Sequence, residues 1–130
     1  MRIGYLLSSF DLLNVGDLGV TDAASASCDE LVVGVLTDDD VEFTLGRRPV
    51  VPHHERLELV SHVRGIARAV THLPGLEQSA DLVLVHADHR RMNDRLDASV
   101  EVLTPIVQTS SPVLRHSLRP ARFAVDEEVA

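Results

Sequence analysis

One cysteine, no tryptophan and 3% aromatic residues leave this 130-residue chain without several groups that small proteins rely on. Cys28 alone can form neither an intramolecular disulfide nor a cysteine-based zinc site, and its place at a helix end suits a small buried filler. No apolar run approaches the roughly 18 residues of a membrane span. The opening Met1-Arg2-Ile3-Gly4-Tyr5-Leu6-Leu7 lacks the extended apolar region of a signal peptide and reads as structure. A soluble, cytoplasmic protein with no membrane partner is expected. Positive charge is scarce too. Twelve Lys and Arg against twenty Asp and Glu give a net charge of -8, which opposes non-specific attraction to nucleic acid. No internal repeat or low-complexity segment stands out.

Hydrophobic residues, by contrast, make up 45% of the chain, so the core must be built from Val, Leu, Ile and Ala, as in buried parallel strands. The expected class is α/β, in one domain over residues 1–119 followed by an acidic tail over 120–130. Ile3 to Leu7, Leu31 to Leu36, Ala69 to His72, Asp81 to Val85 and Val100 to Leu103 read as strands. Asp17 to Ser27 reads as a helix with Asp17 as N-cap, and Thr37 with Asp38-Asp39-Asp40 as the end of the second strand. Val41 to Val51 reads as a loop. A helix follows from Pro52, with Leu57, Leu59, Val60, Val63 and Ile66 as its apolar stripe and Glu55, Arg56, Glu58, His62 and Arg64 around it. Leu73 to Ala80 reads as a turn, Arg90 to Ala98 as polar and helix-compatible, and Val113 to Leu118 as a short helix.

The stretch Ser8-Ser9-Phe10-Asp11-Leu12-Leu13-Asn14-Val15-Gly16-Asp17 lies between the first strand and the first helix. A strand, a tight turn and a helix N-terminus in succession make an anion cradle, because backbone N–H groups and the helix dipole face the same point. Ligands of open α/β sheets bind beyond the carboxyl ends of the strands, which places Ser8 to Asp17, Thr37 to Asp39 and His86-Ala87-Asp88-His89 on one rim.

Five segments in order carry a family resemblance: Phe10-Asp11-Leu12-Leu13 with the following x-Gly-x, Leu31 to Asp38, Gly46 to Pro52, Glu55 through Val63-Arg64, and Thr109-Ser110-Ser111 with Leu114-Arg115. The chain resembles cytidylyltransferases of the glycerol-3-phosphate cytidylyltransferase type, within the nucleotidyltransferases marked by H-x-G-H. The resemblance implies a Rossmann-like five-stranded parallel sheet in the order 3-2-1-4-5, a homodimer, and the joining of CTP to a phosphorylated alcohol with Mg²⁺ and release of pyrophosphate. It implies nucleotide contacts at Ser8, Ser9, Phe10, Asp11, Gly16, Arg56, Arg64, Asp88, Thr109, Ser110 and Ser111, and a catalytic part for Arg47.

The two family histidines correspond to Asn14 and Asp17. Asn14 donates without positive charge, and an ionised Asp17 faces a phosphate as a like charge. The late arginine of the family pattern is absent from Pro105-Ile106 to Gln108 as well. Losing one preorganised donor costs roughly a hundred- to a thousand-fold in rate. The expectation is therefore a cytidylyltransferase-like protein with an eroded phosphoryl-transfer site, binding at most a nucleotide or phosphorylated small molecule. One alternative is an active nucleotidyltransferase in which Asn14 and Asp17 hold Mg²⁺ or a hydroxyl. Another is different chemistry on the same rim, with Asp11, Asp17 or His89 as acid or base. The structural reading of the same residues makes Asn14 to Asp17 a left-handed turn and a cap, and Arg56 and Arg64 a solvated face pairing with Glu55 or Glu58. His86, Asp88 and His89 read as a polar strand end rather than a metal site, and His53-His54 point apart on a helix. No Gly-x-Ser-x-Gly elbow accompanies the serines, which suit turns and caps.

Overall fold

The computed structural model describes residues 1–105; Thr109, Ser110, Ser111, the helix expected over Val113 to Leu118 and the acidic tail lie outside the described residues. Five parallel strands, β1 (Ile3–Ser8), β2 (Glu30–Val35), β3 (Arg68–Thr71), β4 (Leu82–His86) and β5 (Val100–Leu103), form one sheet in the order β3-β2-β1-β4-β5. The strand order is the one the sequence implies. β1 is central, and its residues from Gly4 onward are buried, which is why it reads as an unbroken apolar run rather than an alternating one.

Side-chain alternation sorts the core onto two faces. Leu6, Val33 and Leu84 point to the face covered by α1 (Val15–Ala26) and α3 (His53–Val60), packing with Phe10, Val20, Ala24 and Val60. Tyr5, Leu7, Val32, Val83 and Val85 point to the other, packing with Leu36, Val41 and Met92 beneath α2 (Asp38–Leu45) and the 3₁₀ segment Ala87–Arg95. Helices on both faces make this a Rossmann-like α/β fold.

Three expectations about local structure need correction. The first part of the loop expected over Val41 to Val51, Val41 to Leu45, belongs to helix α2, and only Gly46 to Val51 is loop: Thr37 Oγ1 accepts the Asp40 N–H at 3.1 Å, the acidic trio sits where the helix dipole favours it, and Gly46 ends α2 with φ of 78°. Asp17 is not the N-cap of α1. That role falls to Asn14, whose φ of -146° is extended, while the left-handed residues of the turn are Phe10 and Leu12, at 54° and 56°. The helix after Pro52 ends at Val60 and leaves Leu59 exposed, so Val63 and Ile66 lie beyond it. Cys28 is half-buried just past the end of α1, its thiol 3.4 Å from the Ala24 carbonyl.

A polar network is buried on the α2 face. The Tyr5 hydroxyl meets His72 Nδ1 at 2.7 Å, and a Cβ placed on Gly34 of the neighbouring strand would overlap that hydroxyl, so glycine is what lets the ring lie there. Burial raises the pKa of Tyr5, with Glu77 adding to it, and burial lowers that of His72 against the opposing pull of Glu77 and Asp40. Burial alone would raise Glu77. The N–H groups of Asp97 and Gly75, together with His72, outweigh it, and the carboxyl lies below its usual value.

All three shifts favour folding in the neutral window. The His72 contribution is complete above its unfolded value of 6.5 and is lost as pH falls through its lower folded value. The Glu77 contribution is lost in the same direction below 4.5, and the Tyr5 contribution is lost as pH rises above 10.0. Urea denaturation across pH should show a plateau with losses on both sides. Tyr5→Phe should cost about 1 kcal/mol at neutral pH and flatten the alkaline limb; an unchanged alkaline limb would show that Tyr5 does not cause it.

Candidate functional site at the strand ends

The turn from Ser9 to Asn14 carries two residues in a conformation that costs L-amino acids roughly 1–2 kcal/mol each, so its surroundings must hold it. Several hydrogen bonds do so. Asp11, 1% exposed, accepts the N–H of Val50 at 3.0 Å and of Val51 at 2.9 Å, stapling the loop after α2 onto the turn. Ser9 Oγ accepts the Asp11 N–H at 3.2 Å, and Asn14 Nδ2 donates to the Leu12 carbonyl at 3.0 Å.

Arg56 lies under the same turn with no exposed surface. Its Nε donates to the Val51 carbonyl at 2.8 Å, one terminal nitrogen donates to the carbonyls of Ser9 at 2.7 Å and Leu36 at 2.8 Å, and the other meets Asp38 at 2.6 Å. The solvated face with Glu55 or Glu58 expected for this residue is overturned, because the guanidinium finds three carbonyls and a carboxylate inside the protein. Arg47 and Arg64 remain exposed, with no hydrogen bond or ion pair among the described residues. Arg48, by contrast, pairs with Asp39 at 2.9 Å and Glu42 at 3.1 Å on the surface.

At the start of α1, Asn14 Oδ1 accepts the N–H of Gly16 at 2.8 Å and of Asp17 at 3.2 Å, while the Asp17 carboxylate accepts the Asn14 N–H at 3.2 Å. This reciprocal box engages the donors that a helix N-terminus would otherwise turn to an anion. Asp17 is 8% exposed, and its Oδ1 lies 3.6 Å from Nε2 of the buried His86 at the end of β4. That separation is too long for a hydrogen bond. His86 Nδ1 accepts the Asp88 N–H at 3.1 Å. His89 bonds Ser9 on one side and Thr44 on the other, each at 2.9 Å. His53 opens α3 with its Nε2 buried and without a partner among the described residues; burial, then Arg56, lowers its pKa.

The structure thus brings Ser8, Ser9, Phe10, Asp11, Asn14, Gly16, Asp17, Asp38, His86, Asp88 and His89 to one rim, the placement read from the sequence, and adds Thr44 as a partner of His89 and the fully buried Arg56 as a partner of Asp38. No group of three or more His, Cys, Asp or Glu among the described residues is placed to hold a metal ion. All three rim carboxylates are engaged: Asp11 by backbone N–H groups, Asp38 by Arg56, and Asp17 by the Asn14 N–H with His86 3.6 Å away.

The family model described as cytidylyltransferase-like matches residues 5–75, which contain this turn, helices α1, α2 and α3, strands β2 and β3, and β1 from Tyr5. The chain belongs to the cytidylyltransferase-like family. Among curated proteins it is 36% identical over 67 residues to the bifunctional protein HldE of Bradyrhizobium sp. (strain ORS 278), a match covering 51% of this chain and 14% of that protein. It is 33% identical over 70 residues to ethanolamine-phosphate cytidylyltransferase of Arabidopsis thaliana, covering 54% of this chain and 16% of that protein. The chain therefore matches only about a sixth of these relatives' length. The crystal structure of the lipopolysaccharide core biosynthesis protein from Thermoplasma volcanium GSS1 superposes with a TM-score of 0.65 and 20% identity, over 84% of this chain and 99% of that one, and shares its fold.

Removing Arg56 leaves the buried carbonyls of Ser9 and Leu36, the half-buried carbonyl of Val51 and Asp38 without this donor. Arg56→Met should lower stability in urea by at least about 3 kcal/mol, and Arg56→Lys should not restore it because an ammonium lacks the planar fork. A loss below about 1 kcal/mol would contradict the buried role.

Proposed function

We propose that this cytidylyltransferase-like chain binds a nucleotide or a phosphorylated small molecule at its β1–α1 rim and has lost efficient phosphoryl transfer. The observation that carries the reading is the reciprocal capping of Asn14 and Asp17 at the point where the family pattern has phosphate-facing histidines. Both side chains serve the helix, and one of them places negative charge where a transferring phosphoryl group builds its own. Family membership and the exposed Arg47, next to the Arg48 that pairs with Asp39 at the start of α2, support retained binding, since guanidinium groups suit phosphate, whereas Arg64 lies between the end of α3 and the start of β3, at the other end of the sheet. The names of the relatives favour CTP and a phosphorylated alcohol as the ligands to try.

Mg²⁺ would neutralise nucleotide phosphates when bound with them, and on this reading Asp17 repels the phosphates rather than holding the ion. The same reading takes the protein as a cytoplasmic homodimer, on the resemblance of its sequence. Among the described residues no helix is long and apolar enough to cross a membrane.

Purified protein given CTP, Mg²⁺ and glycerol 3-phosphate or ethanolamine phosphate should release pyrophosphate at least about a hundredfold more slowly than an ordinary enzyme turnover of roughly 10 s⁻¹. Turnover near that rate would sink the proposal and favour an active site in which Asp17 works through Mg²⁺.

A further inference from the structure

In the order β3-β2-β1-β4-β5 the chain leaves β1 toward one edge of the sheet and β4 toward the other, so the crevice between these two strand ends is where open α/β sheets take ligands. Ser9 follows β1 and His89 follows β4. Their side chains meet across that crevice, Ser9 Oγ to His89 Nε2 at 2.9 Å, at 3% and 2% exposure.

One placement of the protons, with a neutral ring, satisfies each of the surrounding hydrogen bonds and forms part of the inference. In it the Thr44 hydroxyl donates to the Val41 carbonyl at 3.1 Å and faces His89 Nδ1, 2.9 Å away, as an acceptor, and Nδ1 holds the ring proton. Nε2 of the neutral ring is then a lone pair and takes the Ser9 hydroxyl proton. That turns the Ser9 oxygen into the acceptor for the Asp11 N–H at 3.2 Å, inside the turn where Phe10 and Leu12 are left-handed. His86, with its ring centroid 6.0 Å away, has the opposite arrangement: Nδ1 accepts the Asp88 N–H, which leaves the neutral ring's proton on Nε2, toward Asp17.

We propose that His89 is the positioning residue of the β1–α1 cradle. Anchored on Thr44 of α2 through Nδ1–H, it orients the Ser9 hydroxyl and thereby keeps Asp11 and the strained turn in the conformation that receives a phosphate-bearing ligand. Position 89 is linked in this way to a residue 80 positions away on the other side of the crevice. It touches no reacting atom; it acts through Ser9. The part of this inference that concerns the ligand rests on the binding reading above, while the part that concerns the turn does not.

Nitrogen-15 NMR of the whole chain, amide exchange at Asp11 and calorimetry with CTP test it on wild type, His89→Ala and His89→Gln. His89 should show a protonated Nδ1 and an unprotonated Nε2, with His86 reversed. His89→Ala should speed Asp11 amide exchange and weaken CTP binding by about tenfold each, the equivalent of one buried hydrogen bond. His89→Gln, whose amide supplies both a donor and an acceptor, should restore both to within about threefold of wild type. An Nε2-protonated His89, unchanged Asp11 exchange in His89→Ala, or a glutamine variant as impaired as the alanine one would each overturn the proposal. If wild type binds no CTP, the nucleotide reading falls, and the tautomer and exchange results still decide whether His89 positions the turn.

Discussion

A guanidinium with no exposed surface lies beneath the C-terminal rim and gathers the carbonyls of Ser9, Leu36 and Val51 with the carboxylate of Asp38. Those four groups belong to the end of β1, the end of β2, the loop before α3 and the first residue of α2. The Ser9 and Leu36 carbonyls lie past the point where sheet pairing would satisfy them, and burying either alone would cost about as much as a lost hydrogen bond. Arg56 answers all three carbonyls, and its forked geometry sets how far apart the strand ends and the loop may stand. Asp11 completes the clamp by accepting two N–H groups from the same loop that Arg56 grips by its carbonyl.

With the turn held in this way, the start of α1 is the place where, on the proposed reading, structure and ligand would compete. Its N–H groups are answered by Asn14, and Asp17 returns a bond to the Asn14 N–H. Capping of this kind contributes about 1 kcal/mol to a helix. The same carboxylate near a helix N-terminus is favourable to the dipole and unfavourable to a bound phosphate. A chain that gains helix stability from Asp17 therefore gives up anion affinity at the same point, which is the usual direction of exchange between stability and function.

The five strands were legible because buried parallel strands leave short runs of Leu and Val that no alternation interrupts, as in Leu31 to Val35. Their order was legible through the family resemblance. α2 was harder to see: Asp38-Asp39-Asp40 resembles a polar strand end, and only Thr37 before it and Gly46 after it signal a capped helix. The burial of Arg56 was hidden because its local neighbours Glu55 and Glu58 suggest surface pairing, whereas its partners lie 18 and 47 positions away. The same holds for Asp11 with Val50 and Val51, and for His89 with Ser9. Sequence spacing reports neighbours along a helix or strand, and these bonds join elements that only the folded sheet brings together.

The account turns on whether Asp17 stabilises the helix at the expense of the ligand. Calorimetric titration of CTP into wild type and Asp17→Asn, with urea denaturation of both, measures the two quantities together. The account predicts that the variant loses about 0.5–1 kcal/mol of stability while its affinity for CTP rises several-fold, with the gain largest at low salt. An affinity that falls or stays unchanged in the variant would contradict it, because Asp17 would then be a partner of the ligand and not its competitor.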